Sequence, residues 1–343
     1  MQLVIGLLIF SFCLTSALIV PFIDALYRIR FQRQKQITMD AFGIRTAIFD
    51  KFHKHKAGVP VGGGMLIIGV ISLVFIGVFP ILRSLGITIT NVYPIIPEIT
   101  ILFTSMLTFG LIGLYDDIKK FFRIKESGFF GLRLRHKLIL QVLSGLLLGS
   151  MMYFWLGIDF INVPFFGFVY LGPVFLLYAA FVIVAFANAV NITDGLDGLA
   201  SGLLLFCLFG LWVLSASILD TTLSIFIALL IGSLIAFLYF NIYPARIFLG
   251  DVGSLSLGAL LAVMGLLLGK SLALPIIGGI FVMEILSSLL QLLSKRFRKK
   301  KLIPAAPLHL TLQQIGWEEP KIVMRAWMTG IILTALGVWL ALI

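Results

Sequence analysis

The chain has 343 residues, of which 60% are hydrophobic and only 12% charged, and it carries a formal net charge of +11. Soluble domains run near about 45–50% apolar and 25% charged, so this composition excludes a soluble globular protein and indicates one that crosses a membrane many times. The basic excess needs no nucleic acid to account for it, because anionic lipid is a sufficient partner.

The first apolar run, 3–23, has no basic residue before it and no small-residue cleavage site, so it reads as an uncleaved span rather than a signal peptide. A helical crossing takes about 17–25 residues, and nine further runs reach that length: 61–82, 98–115, 138–158, 168–187, 198–218, 220–240, 252–269, 272–294 and 322–342. The shortest turns fall near Pro80, Asp220 and Lys270. The expected fold is an all-α polytopic membrane protein of about ten transmembrane helices, with residues 1–343 as one integral membrane domain. Gly62, Gly63 and Gly64 open the second span and would let helix backbones approach closely. Cys13 and Cys207 both lie inside apolar runs, which argues against a disulfide or a thiolate metal site.

Basic residues set the orientation. Of the 26 Lys and Arg, 24 fall in alternate loops and only Arg83 and Lys270 in the others. By the positive-inside rule the basic loops are cytoplasmic and both termini face outward. All four histidines, His53, His55, His136 and His309, fall on the same side as the basic loops.

Three acidic clusters lie against ends of apolar runs on that cytoplasmic side: Gly113-Leu-Tyr-Asp-Asp117, Asn188-Ala-Val-Asn-Ile-Thr-Asp-Gly-Leu-Asp197 and Phe248-Leu-Gly-Asp-Val-Gly-Ser254. They hold five of only 15 acidic residues. A carboxylate within hydrocarbon costs about 2.5–3.5 kcal/mol on an insertion scale, so carboxylates at a membrane boundary need partners. Asp116 and Asp117 end the third span and suit a pair in which one carboxylate holds a metal or orients the other, while the second accepts a proton. The bland alternative is a solvated helix end, which the helix dipole disfavours for acids. In the second cluster the chain is expected to leave the fifth span at Asn188 and turn near Thr193, Asp194 and Gly195. Either Thr193 or Asp194 could merely cap a helix, although capping uses one side chain and not four. Asp251, flanked by glycines, is either an N-cap or a seat for Mg²⁺, which takes one or two carboxylates plus phosphate oxygens. Glu284 stands apart from the cytoplasmic ends and shares a helical face with Ser288 and Gln291, the pattern of a polar network bracing a cleft.

The order Tyr-Asp-Asp, then Asn-Ala-Val-Asn-Ile-Thr-Asp-Gly-Leu-Asp-Gly-Leu-Ala, then Gly-Asp-Val-Gly-Ser resembles the polyprenyl-phosphate N-acetylhexosamine-1-phosphate transferases. The likeness runs from Lys56-Ala-Gly-Val-Pro-Val-Gly-Gly to Gly316-Trp-Glu-Glu-Pro-Lys-Ile-Val-Met-Arg-Ala-Trp327, and the last stretch favours the phospho-N-acetylmuramoyl-pentapeptide transferase branch. The resemblance implies ten helices with a bend in the ninth, a cytoplasmic cleft, and residence in the bacterial plasma (inner) membrane. It implies Mg²⁺-dependent transfer, with Mn²⁺ as a substitute, of phospho-MurNAc-pentapeptide from UDP-MurNAc-pentapeptide to undecaprenyl phosphate, giving lipid I and UMP for peptidoglycan synthesis. It leaves room for a homodimer. By motif position it makes Asp116, Asp117 and Asp251 catalytic, with Asp251 and Asp116 on the metal, and places Lys56, Asn188, Asn191, Asp194, Asp197, Asn241, Phe248, Gln291 and His309 around the donor.

The chain departs from the family pattern twice. Gly58-Val-Pro-Val-Gly-Gly-Gly64 lacks two hydroxyl residues of the motif, and His309-Leu-Thr311 stands where the family has three consecutive histidines. Two alternatives are a sister enzyme moving GlcNAc-1-phosphate to the same lipid and a membrane transporter. Transport would place ionisable groups near mid-bilayer on broken helices, whereas here nearly all acids sit at cytoplasmic ends.

Overall fold

The computed structural model describes residues 2–32, 56–84, 90–121 and 134–343. His53, His55 and the basic residues Arg33, Lys35, Arg45, Lys51 and Lys54 of the first loop lie outside the described residues, as do Arg123, Lys125 and Arg133 of the third. Among the described residues, ten helices have 18 residues or more. They are α1 (Gln2–Arg28), α2 (Gly63–Ser84), α3 (Ile95–Phe121), α4 (Leu134–Leu156), α5 (Phe175–Thr193), α6 (Leu199–Ser217), α7 (Thr221–Asn241), α8 (Gly250–Leu267), α9 (Gly279–Arg298) and α10 (Glu319–Leu342). Eight are long and apolar enough to cross a membrane, and α2 contributes a shorter apolar stretch, Gly63–Val78. The protein is an all-α polytopic membrane protein.

The ninth span is the exception in shape. A four-residue helical turn, Leu274–Ile277, stops at Gly278, and α9 restarts beyond it. Leu286, Leu289, Leu290, Leu293 and Phe297 are exposed along α9, and Lys295, Arg296 and Arg298 occupy its last turn. This helix is therefore amphipathic where its neighbours are apolar all round. The resemblance implied a bend here, and the break at Gly278 supplies one.

A helix that is apolar on every side must be surrounded by protein or by lipid. Helix α8 takes the first course: every one of its residues except Asp251 is buried. It packs against α2, α3, α5 and α6. Helix α1 lies along α7, where a Cβ on Gly232 would sit 2.2 Å from the Leu8 carbonyl oxygen. That close approach lets Ser11 donate to the Leu229 carbonyl at 2.8 Å and Thr15 reach Ser233 at 2.9 Å. Small and hydroxyl residues hold membrane helices together in this way because lipid offers no hydrophobic drive between them.

Three expectations from the sequence are corrected. The fifth span, expected over 168–187, runs Phe175–Thr193, because residues before it form an antiparallel hairpin of β1 (Phe160–Val163) and β2 (Gly167–Tyr170). Alternating apolar and aromatic residues there satisfy their backbone groups by pairing across two strands rather than along a helix. The third span continues to Phe121, so Asp116 and Asp117 lie one turn inside the helix rather than at its end. Asn188 and Asn191 likewise lie within α5; the chain turns only at Asp194, the C-cap residue, and α6 starts at Leu199.

Candidate active site

Glycine at two positions brings the first and third acidic clusters together. Gly250 begins α8 with φ +76°, a conformation that side-chain-bearing residues rarely adopt. A Cβ there would also meet Val61 Cγ1 at 2.7 Å and Asp117 Oδ2 at 3.0 Å. Gly113 on α3 faces the same turn, and a Cβ on it would lie 2.2 Å from the Asp251 carbonyl oxygen and 2.6 Å from the Val252 nitrogen. Helix α3 thus packs directly on the first turn of α8, and its next turn carries Asp116 and Asp117 past the α8 N-terminus.

That N-terminus presents unsatisfied N–H groups and the positive end of the helix dipole, a setting that favours carboxylates. The Val252 N–H donates to Asp117 Oδ2 at 3.3 Å. Asp194, at the end of α5, stands near the Gly250 N–H, which favours its ionised form. Helix α3 therefore caps α8 in trans, with the end of α5 beside it. Leu249 is the formal N-cap and makes no side-chain cap bond; Asp251 sits in the first turn with its side chain directed outward to partners on α3 and α4.

Those partners are two lysines. Lys137 Nζ lies 2.6 Å from Asp251 Oδ2 and 2.9 Å from Asp116 Oδ2, and Lys120 Nζ lies 2.8 and 3.0 Å from the same two oxygens. Asp116 and Asp251, from different helices, therefore converge on one cationic point. Lys120 also stands 4.0 Å from Asp117 Oδ1. Neither lysine is among the site residues the motifs indicate. Lys120 was legible as the i+4 partner of Asp116, whereas nothing in the sequence ties Lys137 to residues 114 positions away.

Asp194 is half-buried beside this cluster, and burial, with the Asp251 charge adding to it, pushes its carboxyl up to about 7. Asp116, Asp117, Asp194 and Asp251 outnumber Lys120 and Lys137 in this cluster, an excess of carboxylates that a cation would relieve. The donor set consists of hard carboxylate oxygens, the ligands that suit Mg²⁺ or Mn²⁺. Among the described residues no three acidic, His or Cys side chains form a closed metal cage. An open site of one or two carboxylates fits an ion that completes its shell with phosphate and water.

A second ionic cluster adjoins the first through the loop between α5 and α6. Lys56 Nζ lies 2.7 Å from Asp197 Oδ1 and 2.5 Å from Glu319 Oε1, and all three side chains are buried. Asp197 Oδ2 accepts from the Ala245 N–H at 2.9 Å. His309, on the seven-residue helix Leu308–Gln314, is buried with its ring against Gly195. Glu284 holds it by accepting from its backbone N–H at 3.1 Å and standing 3.1 Å from Nδ1. Among the described residues its Nε2 is buried without a hydrogen-bond partner, which leaves that imidazole nitrogen open to a ligand atom or a water.

The remaining motif residues are tied to protein groups. Asn191 donates to Ser254 at 2.8 Å and Asn188 to Gln141 at 2.8 Å. Asn241 bridges the Ile247 carbonyl and Ser201. Gln291 receives the N–H groups of Leu302 and Ile303 and donates back to the Ile303 carbonyl at 2.9 Å. Phe248 is half-buried, and its backbone pairs with the segment Pro60–Gly63. Asn241 and Gln291 thus shape the loops around the site, while Lys56, Asp194, Asp197, Asp251 and His309 face it.

A family model described as glycosyl transferase family 4 matches residues 99–269. The phospho-N-acetylmuramoyl-pentapeptide-transferase of Moorella thermoacetica is 37% identical over 292 residues, covering 84% of this chain and 86% of its own length. That of Desulfotalea psychrophila is 38% identical over 300 residues, covering 82% and 79%. That of Aquifex aeolicus is 39% identical over 253 residues, covering 68% and 69%.

Proposed function

This chain belongs to the phospho-N-acetylmuramoyl-pentapeptide-transferase family within glycosyl transferase family 4, and from that premise we propose that it transfers phospho-MurNAc-pentapeptide from UDP-MurNAc-pentapeptide to undecaprenyl phosphate, giving lipid I and UMP. It is a phosphoglycosyl transferase acting in peptidoglycan synthesis. The observation that carries the finer reading is the meeting of Asp116 and Asp251 on Lys120 and Lys137 at the α8 N-terminus. Phosphoryl transfer asks a protein mainly for positioning and for neutralising charge, and this arrangement offers both.

Asp116 and Asp251 would hold Mg²⁺, which when bound neutralises pyrophosphate charge and polarises the phosphorus under attack. Lys120 and Lys137, which meet those two carboxylates, would supply positive charge for the pyrophosphate oxygens. A phosphate oxygen of undecaprenyl phosphate attacks the sugar-bearing phosphorus, and the bond to UMP breaks, leaving the negative charge on the departing nucleotide. Asp117, fixed by the Val252 N–H, accepts the proton of the incoming phosphate when that phosphate arrives protonated. His309, with Nδ1 engaged by Glu284, offers Nε2 to the donor. The site opens toward the cytoplasm of a bacterial plasma membrane, where 24 of 26 basic side chains fall in the loops on its side.

The test is incubation of the purified protein with undecaprenyl phosphate and either UDP-MurNAc-pentapeptide or UDP-GlcNAc, with mass identification of the lipid. Formation of lipid I from the first donor alone is expected. A GlcNAc-pyrophosphoryl lipid, or no lipid-linked product from either donor, would overturn the assignment.

A further inference from the structure

Glu319 lies on the first turn of α10, far from the acidic clusters in sequence, yet its Oε1 accepts from two groups of the second ionic cluster. Lys56 Nζ approaches it at 2.5 Å and the Asp197 N–H at 2.6 Å. Eight residues on, slightly more than two turns and so on the same face, Trp327 Nε1 donates to the Gly198 carbonyl at 3.1 Å. The Trp327 ring fills the space where a Cβ on Gly202 would come within 2.2 Å. Helix α10 therefore grips both ends of the turn Asp197–Gly198, and through Glu319 it also fixes the direction of the Lys56 ammonium.

We propose that Glu319 is a positioning residue for the donor-binding half of the site, holding Lys56 and the turn of residues 194–198 in one geometry with Trp327 as its second tether. The substrate side of this inference rests on the functional reading above. Lys56 and Asp197 keep their own contact at 2.7 Å without Glu319, so removing the carboxylate does not leave a lone buried charge. What is lost is the second anchor that stops the pair from swinging as a unit. The lipid acceptor keeps its hydrocarbon in the bilayer, so the donor, which reaches into this polar loop, registers the change.

Two readouts separate the parts of the claim. Amide exchange in the full-length protein should rise at least about tenfold at Asp197 in Glu319→Ala, because that N–H loses its acceptor. Glu319→Gln, whose amide oxygen still accepts, should restore most of the protection. In the transfer assay, Glu319→Ala should raise the KM for UDP-MurNAc-pentapeptide about tenfold or more while the KM for undecaprenyl phosphate stays within about twofold. Trp327→Phe should act on the same KM, and the double variant should be less than multiplicative because both tethers hold one loop. If Glu319→Ala does not fold, Glu319→Gln together with Trp327→Phe carries the test, with an intermediate rise in donor KM expected from each. Unchanged Asp197 exchange, or equal shifts in both KM values, would overturn the proposal. Altered exchange in a protein that makes no lipid-linked product would instead leave the loop tether standing and sink the functional reading.

Discussion

Replacing Gly113 with alanine would test whether the contact between α3 and α8 sets the geometry of the acid cluster. The added methyl would lie 2.2 Å from the Asp251 carbonyl oxygen, 2.4 Å from its carbon and 2.6 Å from the Val252 nitrogen. All three are backbone atoms, so no rotamer change relieves the clash. Non-bonded carbon contacts settle near about 3.5 Å, which requires α3 to back away by roughly 1 Å. Overpacking of this kind costs about 1–3 kcal/mol, little enough for the bundle to stay folded. Asp116 and Asp117, one turn further along α3, would move with it away from Asp251. Misplacement of reacting groups by about 1 Å can lower turnover about 10²-fold. The assay is initial-rate formation of the lipid-linked product by purified enzyme in detergent, with thermal unfolding measured alongside. Two controls frame the result. Gly110→Ala, one turn earlier, presses only on the flexible tip of Ile68 at 3.0 Å and makes ordinary contact with Ser256 Cβ at 3.8 Å and the Val252 carbonyl oxygen at 4.0 Å, and Gly69→Ala has nothing within 4 Å among the described residues; both should keep near-normal rates. A folded Gly113→Ala enzyme with wild-type turnover would refute the argument.

Three further outcomes follow from the site. Activity should require Mg²⁺ or Mn²⁺, vanish in EDTA and return with either ion, and Asp251→Asn should lose at least about 10²-fold in turnover; full activity in chelator would remove the metal from the mechanism. His309→Ala should lower kcat/KM roughly ten- to 150-fold through the donor KM, the scale of a lost hydrogen bond to a charged group. Glu284→Gln should move in the same direction by less, and a silent His309→Ala would exclude the imidazole. Asp194, with its carboxyl pushed up to about 7, holds its proton more tightly folded than unfolded, so its contribution to stability is present below the ordinary carboxylate range and lost as pH rises through about 7. In EDTA the melting temperature should therefore fall across that window in the wild type and fall less in Asp194→Asn; parallel profiles would show that Asp194 does not set the slope.

Much of this was legible in the sequence because the bilayer imposes strong rules. Apolar runs of spanning length mark the helices, and acids that stand against such runs mark the site, since hydrocarbon tolerates neither loops nor stray carboxylates. What was not legible depended on three-dimensional encounter. Lys137 meets Asp251 only because α4 lies beside α3 and α3 beside α8. Glu319 reads as an ordinary helix-start acid until the turn at Asp197 is seen to rest on it. A polar Asp-Asp-Ile-Lys-Lys sequence reads as an exit from the membrane, whereas Lys120 and Lys137 neutralise those acids and let α3 continue to Phe121. The β1–β2 hairpin reads as part of a span because its aromatic residues are as apolar as a helix face.

The enclosure of α8 bears on how the protein is assembled. A helix with no lipid-facing side has no stable place until its neighbours are present, and its small residues, Gly253, Ser254, Ser256 and Gly258, are fitted to other helices rather than to acyl chains. In chain order α2, α3, α5 and α6 all precede α8, so the helices that enclose it are made before it. Glu319 and Trp327 emerge last and fasten the loop next to it. Asp251 is the last of the four clustered carboxylates in chain order, so Asp116, Asp117 and Asp194 gain their fourth member only once α8 has been made and packed among its neighbours.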